Sequence, residues 1–475
     1  MIQRPLTHAL VLALLALPAP AASASAATGL DAAREFVPRQ VVVKFEGEAH
    51  GRAVELPGGV GVGRAAASLE RNPRVAYAAP NFIATASAPR IGLAGAAPAP
   101  RVSLARAAAT PFGEVPNDPG PINGPPGPPG GWVQRQWNFL PWQGPATAAL
   151  PISPGGINAV AAWRNLIEIR RPGAQGIRVA VLDTGVAYRN KGKRYRRSPD
   201  FTAGQFAKGF DFVDHDRLPL DENGHGTHVA ATIGEKTNNG VGLTGLAYRA
   251  KLMPIRVLDR NGSGQADDIA AGIRFAVANR ADVINMSFNF ACRKRLPGIN
   301  EELRKAFRAG IVTVASIGNL GSESCVSPPA TGPHVIGVGG TTQGGCLGAY
   351  SLSGKAVDIL APGGGAPAAG CPSVLASSIL QVTLKGSLNE FGEPGGYAGT
   401  SMAAAHVSGV AAMVLASAVL PPVKKSKRRV RLVSKRLAQT ARSLGLPRVR
   451  EGGGLLDAGR ATDRACQGPC LLESP

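Results

Sequence analysis

From about residue 132 onward, short runs of aliphatic and β-branched residues alternate with longer segments in which apolar positions recur every three or four residues. The short runs predict strands at 177–182, 281–285, 311–315 and 334–338. The longer segments predict helices at 226–235, 266–279, 300–309 and 401–417. Because strands that alternate with helices form βαβ units, this part is predicted to be α/β, with a mostly parallel central sheet between two helical layers.

The region before this pattern is organised differently. Two strands are predicted at 41–45 and 75–82, with a short helix around 65–71 between them, so residues 27–83 are expected to form a small α+β unit. Residues 84–115 are rich in alanine and proline and show no periodicity, which predicts a linker.

The N-terminal segment has the pattern of a secretory signal peptide. An apolar run at 9–17 follows Arg4, two prolines end it, and small residues at 24–26 offer a cleavage site. The alternative is a membrane anchor, but the run is too short to span a bilayer, and no later segment is long and apolar enough. We therefore predict a signal peptide over residues 1–26, a secreted protein (extracellular or periplasmic) and no integral membrane segment.

Composition adds a large positive charge to this picture. Hydrophobic residues make up 44% of the chain and charged residues 17%, which allows a large core. Lysine and arginine exceed aspartate and glutamate by 52 − 31 = 21, with basic runs at 191–197 and 424–436. These runs are interpreted either as contacts with an anionic partner or as a solvated loop and helix face. Because the second run carries no aromatic side chain for base stacking, no specific nucleic-acid partner is expected.

Six cysteines form an even set, which in an exported chain suggests up to three disulfides. Six cysteines allow about 15 pairings, and their order along the chain favours Cys292–Cys325, Cys346–Cys371 and Cys466–Cys470. The last pair lies in a C-terminal tail at 463–475. A zinc cluster is the weaker alternative, because neither a Cys-x-x-Cys pair nor a His-x-x-x-His pair is present.

Three segments carry residues suited to nucleophilic catalysis. Asp183 ends a predicted buried strand, His225 lies between glycines at a helix start, and Ser401 opens the longest predicted helix. Each has an ordinary alternative, since Asp-Thr-Gly also occurs in aspartic proteases and serine is a common helix N-cap. Together they form the acid, base and nucleophile of a triad, in which histidine takes the serine proton and aspartate orients the histidine. His228 and His406 are predicted to be structural.

At these positions the chain resembles the subtilisin-like serine proteases (subtilases, peptidase family S8). The matching strings are VAVLDTGV, NGHGTHVA and GTSMAAAHV around the three residues above, and ASIGN, which ends at Asn319. VINMSF, NGSGQADDI and HVIGVGGT also match in register. The resemblance covers about residues 116–462 and implies a subtilisin-like three-layer α/β/α fold.

The resemblance also implies roles for individual residues. Asp183, His225 and Ser401 would act as the triad of an endopeptidase that forms an acyl-enzyme. Asn319 would donate its side-chain amide to the oxyanion, beside the backbone N–H of Ser401.

Two edge segments, at 262–264 and 285–287, would hold an extended peptide as an added strand. The substrate-binding residues implied are Ser263, Gly264, Ser287, Phe288, Asn289, Ser316 and Gly318. We expect a monomer that acts on protein or peptide substrates and needs no cofactor for the chemistry.

Residues 27–83 resemble the family's pro-domain through the strings VVVKF and NPRVAYAAPNF. This implies a self-processing zymogen whose pro-domain is an intramolecular inhibitor until a cut within 83–115 releases it. Two alternatives remain open: a catalytically silent subtilase fold that binds peptides or anionic surfaces, and an α/β-hydrolase lipase or esterase. The second is disfavoured because Ser401 does not lie in Gly-x-Ser-x-Gly.

The chain departs from the family pattern at three places. Ala405 stands where the family usually has proline, and residues 187–199 form a basic insertion. Asn289 stands where a glycine normally lines the primary specificity pocket, which predicts a narrower or more polar pocket.

Two segments resemble structural calcium sites of the family. In the first, Asp211, Asp214 and Asp216 offer hard oxygen ligands on one turn, and the alternative is an ordinary polar turn. In the second, Asp200 is paired with Asn239 and nearby carbonyl groups, although this loop is one residue longer than usual. Calcium would stabilise loops and take no part in the chemistry.

Overall fold

The structure is a computed structural model that describes residues 35–86, 116–122, 130–144, 150–321 and 325–466. The predicted signal peptide, residues 87–115 and Cys470 lie outside the described residues. Within the described ranges, none of the helices combines the length and the apolar character that crossing a bilayer requires.

The N-terminal unit is an antiparallel sheet covered by one helix. Its elements are β1 (Phe36–Phe45), β2 (Arg52–Glu55), α1 (Val62–Glu70) and β3 (Val75–Ala86). The strand order is β2-β1-β3, and valines of β1 pack against Leu69 of α1. The predicted small α+β unit is therefore present, and β3 continues to Ala86, beyond the predicted boundary at residue 83.

A seven-stranded parallel sheet forms the centre of the second unit. Its strands are β4 (Arg178–Asp183), β5 (Phe210–Asp211), β6 (Lys251–Arg256), β8 (Val283–Met286), β10 (Val312–Ser316), β11 (Val335–Thr341) and β12 (Ile359–Pro362). The order is β12-β11-β10-β8-β4-β6-β5, and each neighbouring pair is parallel. Outside this sheet lie β7 (Ser263–Gln265), β9 (Phe288–Asn289), β13 (Thr383–Leu384) and β14 (Phe391–Gly392).

Helices cover both faces of the central sheet. They are α2 (Ala159–Glu168), α3 (His225–Gly234), α4 (Ala266–Ala278), α5 (Pro297–Arg308), α6 (Thr400–Ala416), α7 (Lys427–Thr440), α8 (Arg448–Glu451) and α9 (Ala458–Thr462). Short 3₁₀ turns occur at Gly131–Gln134, Trp137–Phe139, Pro172–Ala174 and Ala203–Gln205.

Successive residues of β4 show the two layers. Val179 and Val181 belong to the core that contains α2, α3 and α6, whereas Ala180 and Leu182 belong to the core that contains α4 and α5. This alternation follows from the two-residue period of a strand. The predicted three-layer α/β/α fold is confirmed.

The parallel arrangement determines where a site can form. All carboxyl ends of the strands meet at one edge of the sheet, and loops and helix starts converge there. Asp183 is the last residue of β4 and Ser316 the last residue of β10.

Two of the three predicted disulfides are present in the structure, Cys292–Cys325 and Cys346–Cys371, each with Cα atoms 6.0 Å apart. The third prediction involves Cys470 and so falls outside the described residues. Both observed bridges join segments outside regular helices and strands, where a covalent link limits the freedom of the unfolded chain.

Candidate active site

A carboxylate and an imidazole meet at the end of β4. His225 Nδ1 donates to Asp183 Oδ1 at 2.7 Å, and the backbone N–H of Thr184 donates to the same oxygen at 2.8 Å. Both side chains are almost completely buried. The start of α3 can lie this close to the turn after β4 because residue 226 is a glycine. A Cβ at Gly226 would lie 2.1 Å from the carbonyl oxygen of Gly185.

A second buried carboxylate, Asp221, fixes the geometry of this pair. Its Oδ1 accepts hydrogen bonds from the Thr184 hydroxyl and from the backbone N–H groups of Asn223 and Gly224, each at 2.9 Å. Its Oδ2 accepts from the backbone and the hydroxyl of Thr227 at 2.9 and 2.6 Å. Asp221 thus joins the turn after Asp183 to the start of α3. The sequence analysis missed this residue, because an aspartate before Asn-Gly has the pattern of an ordinary turn.

Opposing influences act on the pKa of His225. Burial lowers it, but the charge and the hydrogen bond of Asp183 and the charge of Asp221 outweigh burial and raise the pKa above its ordinary value. The two carboxylates therefore stabilise the imidazolium form. Burial raises the pKa of Asp221 itself.

Ser401 lies in the first turn of α6, where the positive end of the helix dipole favours negative charge. Its hydroxyl donates to the carbonyl oxygen of Ser287 at 3.1 Å, and the Ser287 hydroxyl donates to the Ser401 carbonyl at 2.9 Å. Among the described residues, no hydrogen-bond partner lies within range of His225 Nε2. The Ser401 hydroxyl is thus turned towards Ser287 in this structure.

Asn319 contacts the same helix start. Its Oδ1 accepts from the backbone N–H and from the hydroxyl of Thr400, both at 2.9 Å. The hydroxyl of Thr400 also accepts from the backbone N–H of Gly318 at 3.2 Å. These bonds fix the acceptor end of the side-chain amide beside the residue that precedes Ser401, which orients the donor end.

The end of β3 runs through the site along β7. Ala84 lies opposite Gly264 in an antiparallel pair, and the backbone N–H of Ala86 donates to the carbonyl of Gly262 at 2.7 Å. The predicted edge segment at 262–264 therefore holds an extended stretch of this same chain.

On its other side, β3 pairs with β9, with Ala86 opposite Phe288 and Thr85 opposite Asn289. The pairing residues Phe288 and Asn289 are both among the predicted substrate-binding residues, and they directly follow the second edge segment, which was predicted at 285–287. Its first two residues belong to the buried strand β8 of the central sheet, so they have no free edge to offer.

Asn289 and Ser316 connect β9 to the end of β10. Asn289 Nδ2 donates to the Ser316 carbonyl at 2.6 Å, and the Ser316 hydroxyl donates to Asn289 Oδ1 at 3.1 Å. Asn289 is 7% exposed. A glycine at this position would leave the space of that side chain open.

The other two histidines near the site are buried and uncharged. Burial lowers the pKa of His228 to about 3, while its Nε2 donates to the Ile379 carbonyl and its ring stacks on Tyr397. Burial lowers the pKa of His406 to about 4, and its Nδ1 donates to the Met402 carbonyl. These contacts support the structural roles predicted for both.

The first predicted calcium loop is organised around an arginine. The Arg256 guanidinium contacts Asp211 Oδ2 at 2.9 Å and Asp214 Oδ2 at 2.7 Å. Asp216 accepts from the backbone N–H of Leu218. Because Arg256 already neutralises two of the three carboxylates, this loop in the structure does not fit the donor set of a calcium ion.

In the described part of the chain, the second predicted calcium segment contains buried acids that form no ion pair. Asp200 Oδ1 accepts from Asn239 Nδ2 at 2.8 Å, and Asp118 accepts from the backbone N–H groups of Asn238 and Asn239 at 3.0 and 3.1 Å. Burial raises the pKa of Asp118 to about 6 and raises the pKa values of Asp200 and Glu235, which also repel each other.

Among the described side chains, no three His, Cys, Asp or Glu groups are placed to hold one metal ion together. A cation at the second segment would therefore need amide and carbonyl oxygens in addition to Asp118 and Asp200. Such a mixed oxygen set suits calcium, and the unneutralised buried charge fits a hard cation better than the Arg256 cluster does.

Comparisons with known proteins agree with this geometry. The sequence profile of the subtilase family matches residues 174–454. A thermophilic serine proteinase of Bacillus sp. (strain AK1) is 37% identical over 242 residues, which are 51% of this chain and 53% of that protein. The chain thus spans about half the length of that relative. Thermitase of Thermoactinomyces vulgaris is 33% identical over 261 residues, 55% of this chain and 80% of thermitase.

A solved protease structure from Pseudoalteromonas arctica PAMC 21717 superposes with a TM-score of 0.57 at 28% identity, covering 74% of this chain and 100% of that one. The family match extends over more than half of the chain and contains Asp183, His225 and Asn319 together with Ser401. The chain belongs to the subtilase family of serine-type endopeptidases.

Proposed function

We propose that this chain is an exported serine endopeptidase that cuts peptide bonds with Asp183, His225 and Ser401. The observation that carries the proposal is the buried 2.7 Å hydrogen bond between His225 and Asp183, together with a serine in the first turn of the buried helix α6, which packs against α3. Export is supported by the apolar run at 9–17 and by the two disulfides.

The proposed reaction begins with a rotation of Ser401. Its hydroxyl leaves the Ser287 carbonyl and donates to His225 Nε2. In the neutral ring, Nδ1 carries the proton and donates it to Asp183, so Nε2 is free to accept. His225 takes the proton as the oxygen attacks the substrate carbonyl, and Asp183 and Asp221 stabilise the resulting imidazolium. His225 then gives the proton to the leaving amine, and water releases the acyl group by the same steps.

The negative charge on the substrate oxygen needs donors that are already in position. The side-chain amide of Asn319 and the backbone N–H of Ser401 are the proposed donors, because Thr400 holds the acceptor end of that amide. Donors fixed in advance lower the barrier, since they need no reorganisation as the charge develops.

We further propose that the enzyme is made as a zymogen that cuts itself shortly after Ala86, within residues 87–90. Support comes from β3, which enters the cleft as a third strand between β7 and β9 and heads towards Ser287 and Ser401. The N-terminal unit is proposed to remain bound as an inhibitor after the cut.

Polar side-chain contacts between the N-terminal unit and the second unit support the inhibitor role. The buried side-chain amide of Asn81 donates to Gln265 at 3.1 Å and to Asp267 at 2.9 Å. Lys44 forms an ion pair with Glu301 at 2.7 Å. These contacts involve side chains of β3 and β1, so they would persist after cleavage beyond Ala86.

The substrate class proposed for the cleaved bond is a peptide with a small residue on the acyl side. Support comes from Asn289, whose side chain fills the place of the family glycine and bonds Ser316 across the wall of the expected pocket. We also propose that a calcium ion binds near Asp118, Asp200 and Asn239 and stabilises this surface.

The test compares the full chain with a Ser401→Ala variant in casein hydrolysis, with chain masses read by mass spectrometry. We expect the unaltered chain to cut casein and to lose its N-terminal unit at 87–90, and the variant to stay intact and inactive. Addition of the separately purified N-terminal unit is expected to inhibit. If both chains remain full length and inactive in calcium, the protease proposal fails and a silent peptide-binding protein is the alternative.

A further inference from the structure

A groove of about 760 Å³ lies at the edge of the central sheet opposite to Ser401, where β11 and β12 begin. Aliphatic side chains such as Ile336 and Ile359 form its floor. One face of α7 forms the first wall, and Lys355 and the start of α8 contribute to the second. Its volume lies in the range of pockets that hold a ligand or a short chain segment.

Both walls of this groove carry positive charge. Arg431 and Lys435 line it from α7, and Lys355 and Arg448 line it from the other side, whereas Asp358 is the acidic residue in the lining. In the described part of the chain, none of the four cations takes part in an ion pair. The groove therefore holds a net positive charge that the fold itself does not neutralise.

Other cations of the same basic run do have structural partners. Arg429 is buried and bonds Asp282 and the Gly310 carbonyl, and Lys425 also pairs with Asp282. Arg436 donates to backbone carbonyls of α9 and the segment after it, including that of Ala461. The run thus divides into cations that hold the fold together and cations that face the groove.

The groove-facing cations are arranged at a cost to the helix. Arg431 and Lys435, which line the groove, follow Lys427 at four-residue spacing and share one face of α7 with it, where like charges repel. The helix contains no acidic residue to offset this repulsion. An external anion that lies along this face would relieve it.

The surroundings of His334 indicate the same positive potential at one end of the groove. Its ring stacks on Phe307 with centroids 3.6 Å apart, and the Arg431 guanidinium lies 5.6 Å from the Phe307 ring. Burial and the charges of Arg431, Lys427 and Arg304 lower the pKa of His334. Among the described residues, the charged groups that shift this pKa are all cations.

We propose that this groove is an exosite for an acidic peptide segment, in which acidic side chains meet the two cationic walls and apolar side chains rest on the aliphatic floor. A nucleic acid fits less well, because the floor is aliphatic and Phe307 is 5% exposed beneath the His334 ring, so within the described lining the His334 imidazole alone presents a ring face for base stacking. The site lies away from the triad, so bound protein would gain affinity without contacting the reacting atoms.

The test uses the full-length Ser401→Ala chain, so that no probe is cut and the result does not depend on peptidase activity. Fluorescence anisotropy compares an eight-residue peptide of alternating glutamate and leucine with its glutamine–leucine counterpart. We expect the acidic peptide to bind at least about tenfold more tightly at low salt, and the difference to shrink as salt is added. Arg431→Glu/Lys435→Glu is expected to weaken its binding at least about tenfold.

Two further double variants test whether a loss of peptide binding comes from the groove itself, from a general change in net charge or from misfolding. Arg431→Lys/Lys435→Arg keeps both charges and is expected to bind within about twofold of the parent. Lys193→Glu/Lys208→Glu makes the same change in net charge at exposed positions away from the groove and is also expected to stay within about twofold.

Three outcomes would overturn the proposal: equal binding of the two peptides, equal loss in both charge-reversed variants, or binding of a single-stranded oligonucleotide or polyphosphate without binding of the acidic peptide. The last outcome would assign the groove to phosphate polymers instead.

Discussion

Asn289 and Ser316 hydrogen-bond to each other in both directions, through the Asn289 amide to the Ser316 carbonyl at 2.6 Å and through the Ser316 hydroxyl back to Asn289 at 3.1 Å. The pair joins β9, against which β3 lies, to the end of β10. Moving the Asn289 side chain away costs free energy, because the movement breaks two buried hydrogen bonds. In the proposed specificity pocket, this pair would therefore restrict the size of the substrate residue that binds next to it.

Replacement of Asn289 by glycine is expected to change selectivity more than overall activity. With the side chain gone, the space it fills becomes available to a larger substrate residue. We expect the ratio of kcat/KM for a phenylalanine peptide to that for the matching alanine peptide to rise about tenfold in Asn289→Gly. Two chromogenic peptides that differ only at that residue provide the measurement.

Asn289→Ala is the control for this change, because it removes both hydrogen bonds but leaves a Cβ in the pocket. An intermediate ratio is expected. An unchanged ratio in both variants would contradict the assignment of Asn289 to the pocket wall.

Asp221→Asn is expected to shift the pH dependence of activity. The charge of Asp221 helps to raise the pKa of His225, so its removal lowers that pKa, and His225 stays unprotonated and active to lower pH. We expect the acidic limb of kcat/KM to move to lower pH, together with a lower plateau because the turn after Asp183 loosens. Stopped assays across the acidic range measure both effects.

The exposed carboxylate of Asp214 provides a matched control. It pairs with Arg256 and does not contribute to the pKa of His225, so Asp214→Asn should leave the acidic limb in place. An equal shift in both variants would mean that general surface charge, and not Asp221, acts on the histidine.

The triad candidates could be found from sequence because each occupies the end of an element with small neighbours. Asp183 ends an aliphatic strand, while His225 and Ser401 lie at helix starts. These features are local, so a single segment of sequence displays them. The positions of the helices and strands that were predicted in the second unit followed from periodicity for the same reason.

Features that depend on distant contacts could not be predicted this way. Arg256 reaches the predicted calcium loop from a different strand, and nothing in the loop indicates that its acids are already neutralised. Strand β6 was missed because Pro254 interrupts its apolar pattern, yet parallel neighbours on both sides hold it in place. The end of β3 resembled a linker because backbone pairing with β7 and β9, and not side-chain pattern, makes it a strand.

Asn319→Ala is expected to reduce kcat about 10²–10³-fold with little change in KM, since the lost donor acts on charge that exists only in the transition state. That magnitude comes from subtilisin, a member of the same family. Asn319→Asp keeps an acceptor for Thr400 but removes the N–H donor, so we expect a comparable loss. Near-normal kcat in Asn319→Asp would show that Asn319 acts by positioning Thr400 and not by donating to the oxyanion.

The buried acids near Asn239 lead to a prediction about stability. Burial raises the pKa of Asp118 from its ordinary 3.8 to about 6, so between these values the folded chain holds a proton that the unfolded chain has lost. The contribution of Asp118 to the free energy of unfolding therefore falls as pH rises through this window and stays low above it. Asp200 and Glu235, whose pKa values are also raised, act in the same direction.

A calcium ion would replace the missing protons and reverse this loss. We expect calcium to raise the melting temperature of the Ser401→Ala chain at about pH 7.5 and to have little effect at about pH 4.5, where protons already occupy the acids. Asp118→Asn should reduce the calcium effect and flatten the pH dependence measured in chelator, whereas Asp214→Asn, in the loop paired with Arg256, should leave the calcium effect unchanged. Calcium stabilisation that survives in Asp118→Asn but disappears in Asp214→Asn would assign the ion to the Asp211–Asp216 loop, because only there would the lost carboxylate have been a ligand.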